Sequence, residues 1–264
     1  MTLRVGLIGQ GAIAHYVAQG LPAIGGRLEL VLIRQGRGDA ARIATDADVA
    51  LSKGIEGYSP DIMVDCAGHQ GLAQHGTDIL RAGIPLVTVS LGALADRQLE
   101  AALTQAARDG GSRLVLCSGA LGGLDALRAA RMGRLDSVTY TGRKPPAGWV
   151  GSRAEEVLDL SAPLSAPVTH FEGSARQAAL GYPKNANVAA AVALAGAGFD
   201  QTRVRLIADP STQGNIHEIE AAGDFGTMRF SITGQTLPDN PRTSALAAMS
   251  VLSALADYRS PLSF

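Results

Sequence analysis

Three stretches hold residue types at spacings suited to binding a charged ligand or moving a proton. Gly9-Gln10-Gly11-Ala12-Ile13-Ala14 fits Gly-x-Gly-x-x-Ala, directly after a strand-like apolar run and directly before a helical pattern. A dinucleotide pyrophosphate suits that arrangement. Gly9 permits the tight turn, Gly11 leaves room for the phosphate, Ala14 lets helix and strand pack closely, and the helix N-terminus offers N–H donors. Gly9, Gly11, Ala12 and Ile13 are therefore candidate cofactor contacts, and NAD or NADP is the expected cofactor. A carboxylate at the end of the second strand would favour NAD, whereas an arginine accommodates a 2′-phosphate. The run here ends Leu32-Ile33-Arg34-Gln35-Gly36-Arg37, so NADP is expected to be accepted, with Arg34 and Arg37 beside its 2′-phosphate. Solvated surface arginines are the alternative.

The second stretch is Tyr182-Pro183-Lys184-Asn185-Ala186-Asn187, ahead of an apolar helix. One cation and two amides at a helix start can hold a carboxylate by charge and N–H groups together, which makes Lys184 and Asn185 candidate substrate ligands and Lys184 a candidate catalytic residue as well. Simple N-capping by Asn185 is the other reading. The third is Asn215 to Ala221, where a period of two puts His217 on the face of Ile219 and Ala221, with Glu218 and Glu220 opposite. A histidine there is either a satisfied core residue or, at a domain boundary, a proton-transfer group. His69 and His75 are wrongly spaced for one helix face and no His-Glu-x-x-His occurs, so no metal site is expected.

The elements that must position these residues change character midway. Apolar runs at Leu3 to Ile8, Leu28 to Ile33, Asp61 to Ala67, Ile84 to Val89 and Arg113 to Cys117 alternate with helical patterns and lack in/out alternation. That is the signature of a doubly wound parallel sheet of the Rossmann type, buried on both faces. Ligands on such a sheet lie beyond the carboxyl ends of the strands. The loops there are Ala67-Gly68-His69, Ser90 to Ala93, and Ser118 to Gly123, whose glycines would let backbone approach a flat ring such as a nicotinamide. After Gly119, strand patterns around Ser137 to Gly142, Val168 to Gly173, Arg203 to Ala208, Asn215 to Ala222 and Thr227 to Thr233 alternate and are joined by turn-rich segments. They predict a second, α+β domain with a largely antiparallel sheet. Residues 1–118 with 240–264 are expected to form the dinucleotide domain and residues 119–239 the substrate and dimerisation domain. The segment Asn240 to Tyr258 reads as an Ala-rich helix.

Composition narrows the function classes. The 264 residues carry 23 basic and 24 acidic side chains, a net charge of −1, which leaves no footprint for nucleic acid or an anionic membrane. With 46% hydrophobic and 18% charged residues the chain is foldable, not disordered. No apolar stretch approaches the roughly 18 residues of a membrane span, and two cysteines are too few for a disulfide framework. A cytoplasmic protein with reduced thiols and no signal peptide is the expectation.

Taken together, the Gly-x-Gly-x-x-Ala turn, SGALGGLDAL from Ser118 to Leu127, YPKNANVAA from Tyr182 to Ala190, GNIHEIEAAGDFG from Gly214 to Gly226 and the tail from Asn240 to Leu255 resemble the L-aspartate dehydrogenase family along essentially the whole chain. The resemblance implies NAD(P)-dependent oxidative deamination of L-aspartate to iminoaspartate, which feeds quinolinate and NAD synthesis or hydrolyses to oxaloacetate and ammonia. It also implies a homodimer. The family's catalytic histidine falls on His217 and its cofactor-contacting alanine and asparagine on Ala120 and Asn187; Ala67, after the third strand-like run, is a further expected cofactor contact. Where some members carry an acidic residue at the second-strand end, this chain has Ile33-Arg34. Two rivals are a homoserine-dehydrogenase-like reductase acting on another amino or keto acid, and a non-catalytic NAD(P)-binding sensor.

Overall fold

The computed structural model describes residues 2–33, 50–183, 187–237 and 240–262. The chain divides into two compact units, Met1–Cys117 with Ala247–Phe264, and Ser118–Leu246. In the first unit the order is β1 (Leu3–Ile8), α1 (Ala12–Gly20), β2 (Gly26–Leu32), β3 (Ala50–Ser52), β4 (Ile62–Asp65), α2 (His69–Arg81), β5 (Leu86–Thr88), α3 (Arg97–Asp109) and β6 (Leu114–Leu116). The strands form one parallel sheet in the order β3-β2-β1-β4-β5-β6. This is the doubly wound sheet expected, with the short edge strand β3 added. All four residues of β4 are buried, as a strand covered on both faces requires. The strand order reverses beside β1, so the glycine turn that follows β1 stands at the switch point where such sheets bind ligands.

The second unit contains α4 (Leu124–Ala130), β7 (Leu135–Lys144), β8 (Val168–Ser174), α5 (Ala175–Gly181), α6 (Asn187–Ala195), β9 (Arg203–Ala208), β10 (Asn215–Gly223), β11 (Gly226–Gly234), β12 (Thr236–Leu237) and β13 (Asn240–Ser244). Its five-stranded sheet has the order β11-β10-β7-β9-β8. Three neighbouring pairs are antiparallel and one, β7 with β9, is parallel. The alternation seen in the sequence is real: His217, Ile219 and Ala221 are buried, while Glu220 is exposed. On α6, residues Val188–Ala193 are all buried, so this helix is covered all round.

One element differs from expectation. Asn240–Ser244 is a strand paired with β12, and the last helix, α7 (Ala245–Asp257), starts five residues later than the sequence pattern suggests. Asn240 precedes a proline, which biases it toward extended backbone, and Pro241 has no N–H to offer a first helical turn. The helix buries Val251 and Leu255 in the first unit's core, among Leu3, Val5, Ala14, Val17 and Ile62. A Cβ on Gly20, the last residue of α1, would lie 2.3 Å from Leu252 Cδ1, so the two helices meet where α1 has no side chain. Leu255→Ala is expected to destabilise the protein by about 2–5 kcal/mol, read as a lower urea midpoint with an unchanged slope.

Candidate active site

The turn between β1 and α1 has the geometry its glycines predict. Gly9 adopts φ +88°, and a Cβ there would lie 2.9 Å from the Cβ of Ala67, so both its backbone and its packing exclude a side chain. Gly11 faces open space, the nearest atom to a Cβ being the Cys66 carbonyl oxygen at 3.9 Å. It caps α1 without a side-chain hydrogen bond, and the first turn carries no acidic residue. The N–H groups of that turn are thus available to an anion. Alongside is a cavity of about 360 Å³ lined by Gly9, Gln10, Gly11, Ile33, Ala67 and Gln74 among others. The Oε1 of Gln10 is buried there with no hydrogen-bond partner. Donors for a phosphate and an orphaned acceptor for a hydroxyl or amine are what a dinucleotide needs, and the residues present fit one. Arg34 and Arg37 lie outside the described residues.

Asp65, at the end of β4, holds this wall together. Its carboxylate accepts from the Ala67 N–H at 3.0 Å and from the Thr88 hydroxyl at 2.8 Å, and Thr88 Oγ1 accepts from the Ser90 N–H at 2.9 Å. Complete burial raises its pKa, against the hydrogen bonds from Ser90, Thr88 and Ala67 that lower it. The network joins the loops after β4 and β5 and sets Ala67 against Gly9. Burial also pushes the Cys66 thiol well up and the Cys117 thiol to about 12, so neither is a nucleophile near neutral pH.

In the second unit the sheet register brings a different set together. His217 stands opposite Gly142 of β7, and Ile219 opposite Tyr140. Tyr140, Gly142 and Lys144 occupy one face of β7, two residues apart. Tyr140 Oη lies 2.8 Å from His217 Nδ1, which leaves Nε2 as the nitrogen open to a reacting group. Lys144 places its ammonium 5.0 Å from the centre of the Trp149 ring. Trp149 in turn meets His170 edge-on at 4.3 Å and donates to the Ile207 carbonyl at 3.0 Å. His170 Nδ1 contacts the Tyr182 hydroxyl at 3.3 Å, while its Nε2 is buried without a partner. The end of β7 is clamped as well: Asp209 pairs with Arg143 at 3.0 Å, and its N–H donates to the Lys144 carbonyl at 2.8 Å.

The electrostatics of the cluster follow from removing these groups from water. Burial, assisted by the Lys144 ammonium, pushes His217 and His170 down to about 4, and burial pulls Lys144 down to about 8. At neutral pH both imidazoles are therefore uncharged and the lysine carries one positive charge. Such a site suits an anion beside a neutral proton acceptor. Sequence reasoning identifies His217 but not Tyr140, Lys144 or His170, because the pairings of β7 with β10 and of β9 with β7 and β8 are non-local. Among the other expected residues, Ala120 is buried in the loop before α4, and Asn187 opens α6, half-buried. Lys184 and Asn185 lie outside the described residues. The flat ring that Gly122 and Gly123 approach is Phe230, whose atoms would lie 2.8 Å and 3.2 Å from their Cβ positions; Gly119, with φ +69°, faces open space. Among the described residues no group of three or more His, Cys, Asp or Glu could hold a metal ion, and no helix is long and apolar enough to cross a membrane.

Known proteins share both units. The family described as "Aspartate dehydrogenase, C-terminal" matches residues 125–258, and "Homoserine dehydrogenase, NAD binding domain" matches residues 5–116. The chain is 60% identical to an L-aspartate dehydrogenase of Ruegeria pomeroyi, over 96% of its own length and 91% of the relative's. It is 45% identical to one of Cupriavidus necator, over 96% of each. Among solved structures, aspartate dehydrogenase from Thermotoga maritima superposes with a TM-score of 0.77 at 24% identity, covering 100% of both chains. A hyperthermophilic archaeal homoserine dehydrogenase in complex with NADPH superposes at 0.62 with 11% identity, covering 99% of both chains. At those identities the superpositions establish the fold.

The two histidines predict an acid-labile fold. Because their folded pKa values lie below the unfolded value, the unfolded chain takes up protons first. Their contribution to stability is full above about pH 6.5 and is lost as pH falls toward about 4. Lowering pH from about 7 to about 5 is expected to reduce the melting temperature by several degrees, and His170→Gln to shrink that change, measured by scanning calorimetry.

Proposed function

The chain belongs to the L-aspartate dehydrogenase family, and on that premise we propose that it oxidises L-aspartate to iminoaspartate with NAD or NADP. Water then releases oxaloacetate and ammonia, or a biosynthetic step consumes the imine; the reverse direction is reductive amination of oxaloacetate. The observation that carries this reading is the uncharged, buried His217 beside the Lys144 ammonium. When bound, the dinucleotide supplies the hydride acceptor. As hydride leaves Cα, the nitrogen lone pair forms the C=N bond, so the substrate amine must first be neutral. His217 Nε2 accepts that proton or organises a water that does. Lys144 attracts one carboxylate by charge, and Lys184 with Asn185 is assigned the other. Gly9, Gly11, Ala12, Ile13 and Ala67 are assigned to the dinucleotide, as are Ala120 and Asn187 on the family resemblance. Arg34 is assigned to the 2′-phosphate of NADP. We further infer a cytoplasmic homodimer, which light scattering tests by a mass of two chains.

An amino-acid panel at alkaline pH separates this from its rivals. NAD(P)H is expected to form with L-aspartate and not with L-homoserine or L-glutamate; turnover confined to homoserine would overturn the assignment, and binding without any turnover would favour a sensor. His217→Ala should lower kcat by about a hundredfold to ten-thousandfold while aspartate still binds. For Arg34→Ala the KM for NADP should rise with that for NAD unchanged; an unmoved NADP constant removes Arg34 from the site.

A further inference from the structure

His217 is held by a phenol whose place depends on an absent side chain. Tyr140 and Gly142 share a face of β7, and His217 stands directly across from the glycine. A Cβ at position 142 would lie 2.6 Å from Tyr140 Oη and 3.1 Å from its Cζ. The ring therefore lies over the glycine, and its oxygen reaches Nδ1 at 2.8 Å with the two rings tilted by only 21°. Both residues are buried, Tyr140 completely and His217 at 3% exposure, so an imidazole nitrogen left unpaired here would have no water to turn to.

We propose that Tyr140 is a positioning residue for the reaction: its hydroxyl pairs with Nδ1 of His217, which holds the ring in one orientation with Nε2 left for the substrate amine, and Gly142 is the opening that admits the phenol. The proposal rests on His217 as the proton acceptor. A hydroxyl suits the task because it rotates, so it can pair with Nδ1 whether or not that nitrogen carries a proton. A carboxylate in the same place would hold the imidazolium and slow return of the proton; a phenyl would leave the choice of tautomer open.

The test pairs histidine ¹⁵N spectra of the full chain, recorded without substrate, with kinetics of Tyr140→Phe, Gly142→Ala and the double variant, using His217→Ala to assign the signals. Expected are a single tautomer of His217 in the parent protein and a mixture of tautomers in Tyr140→Phe. With L-aspartate, kcat should fall by about tenfold or more while the KM for the dinucleotide stays put. Gly142→Ala should reproduce both changes, and the double variant should be no worse than Tyr140→Phe alone, since the two substitutions break one contact. An unchanged tautomer with kcat within about twofold, or losses that multiply in the double variant, would overturn the proposal. The spectra are independent of turnover, so a failed aspartate assignment would show in the amino-acid panel and leave the tautomer result to stand or fall by itself.

Discussion

A polar nitrogen buried in a sheet face has to find its partner within that sheet, and the second unit is arranged around this constraint. His217 meets it by reaching across one strand to Tyr140. The contact is possible only in the observed register, with Gly142 opposite the histidine, since a one-residue slip would turn every side chain of β10 to the other face. Lys144 lies one step further along the same face of β7, in the part of the strand that pairs with β9. The Asp209 clamp then fixes the end of the strand that carries it. A neutral base and a localised cation thus follow from the two pairings of one strand.

The first unit solves the matching problem with a carboxyl group inside the sheet. Asp65 ends a strand that is otherwise apolar and buried, and such a carboxylate is tolerated only when hydrogen-bonded. Its partners are the Ala67 N–H in the loop after β4 and the Thr88 hydroxyl at the end of β5, so satisfying it fixes the wall against which the glycine turn closes. Ala67 is small for the same reason that Gly9 is glycine: the backbones on either side of the cavity nearly touch.

Much of this was legible in the residues themselves. Continuous apolar runs against alternating ones separate the parallel sheet from the mixed one, and the period of two along Asn215 to Ala221 puts His217 on the buried face. What stays hidden is whatever depends on which strands become neighbours. Lys144 belongs to a Lys-Pro-Pro stretch that reads as loop, and only pairing with β9 makes it the last residue of a strand. Tyr140 and His170 look like ordinary strand residues until β10 and the Trp149 segment are placed beside them. Asn240–Ser244 misleads in the opposite way, since its composition continues into a helix while its proline favours extended backbone. Gly122 and Gly123 show that a glycine pair can signal close approach correctly and still leave the approaching ring unnamed; here it is the protein's own Phe230.

The return of α7 to the first unit has a consequence for biosynthesis. The second unit is contiguous in the chain, whereas the first needs Val251 and Leu255 to complete a core begun at Leu3. On the ribosome, where segments fold in the order they emerge, the parallel sheet must wait, partly uncovered, until the intervening domain has been made. Closing that gap joins residues about as far apart as the chain allows, which slows folding. Exposed apolar strands during that interval are a hazard for aggregation, so chaperone demand in this protein should track the emergence of its final helix and not the synthesis of its glycine-rich start.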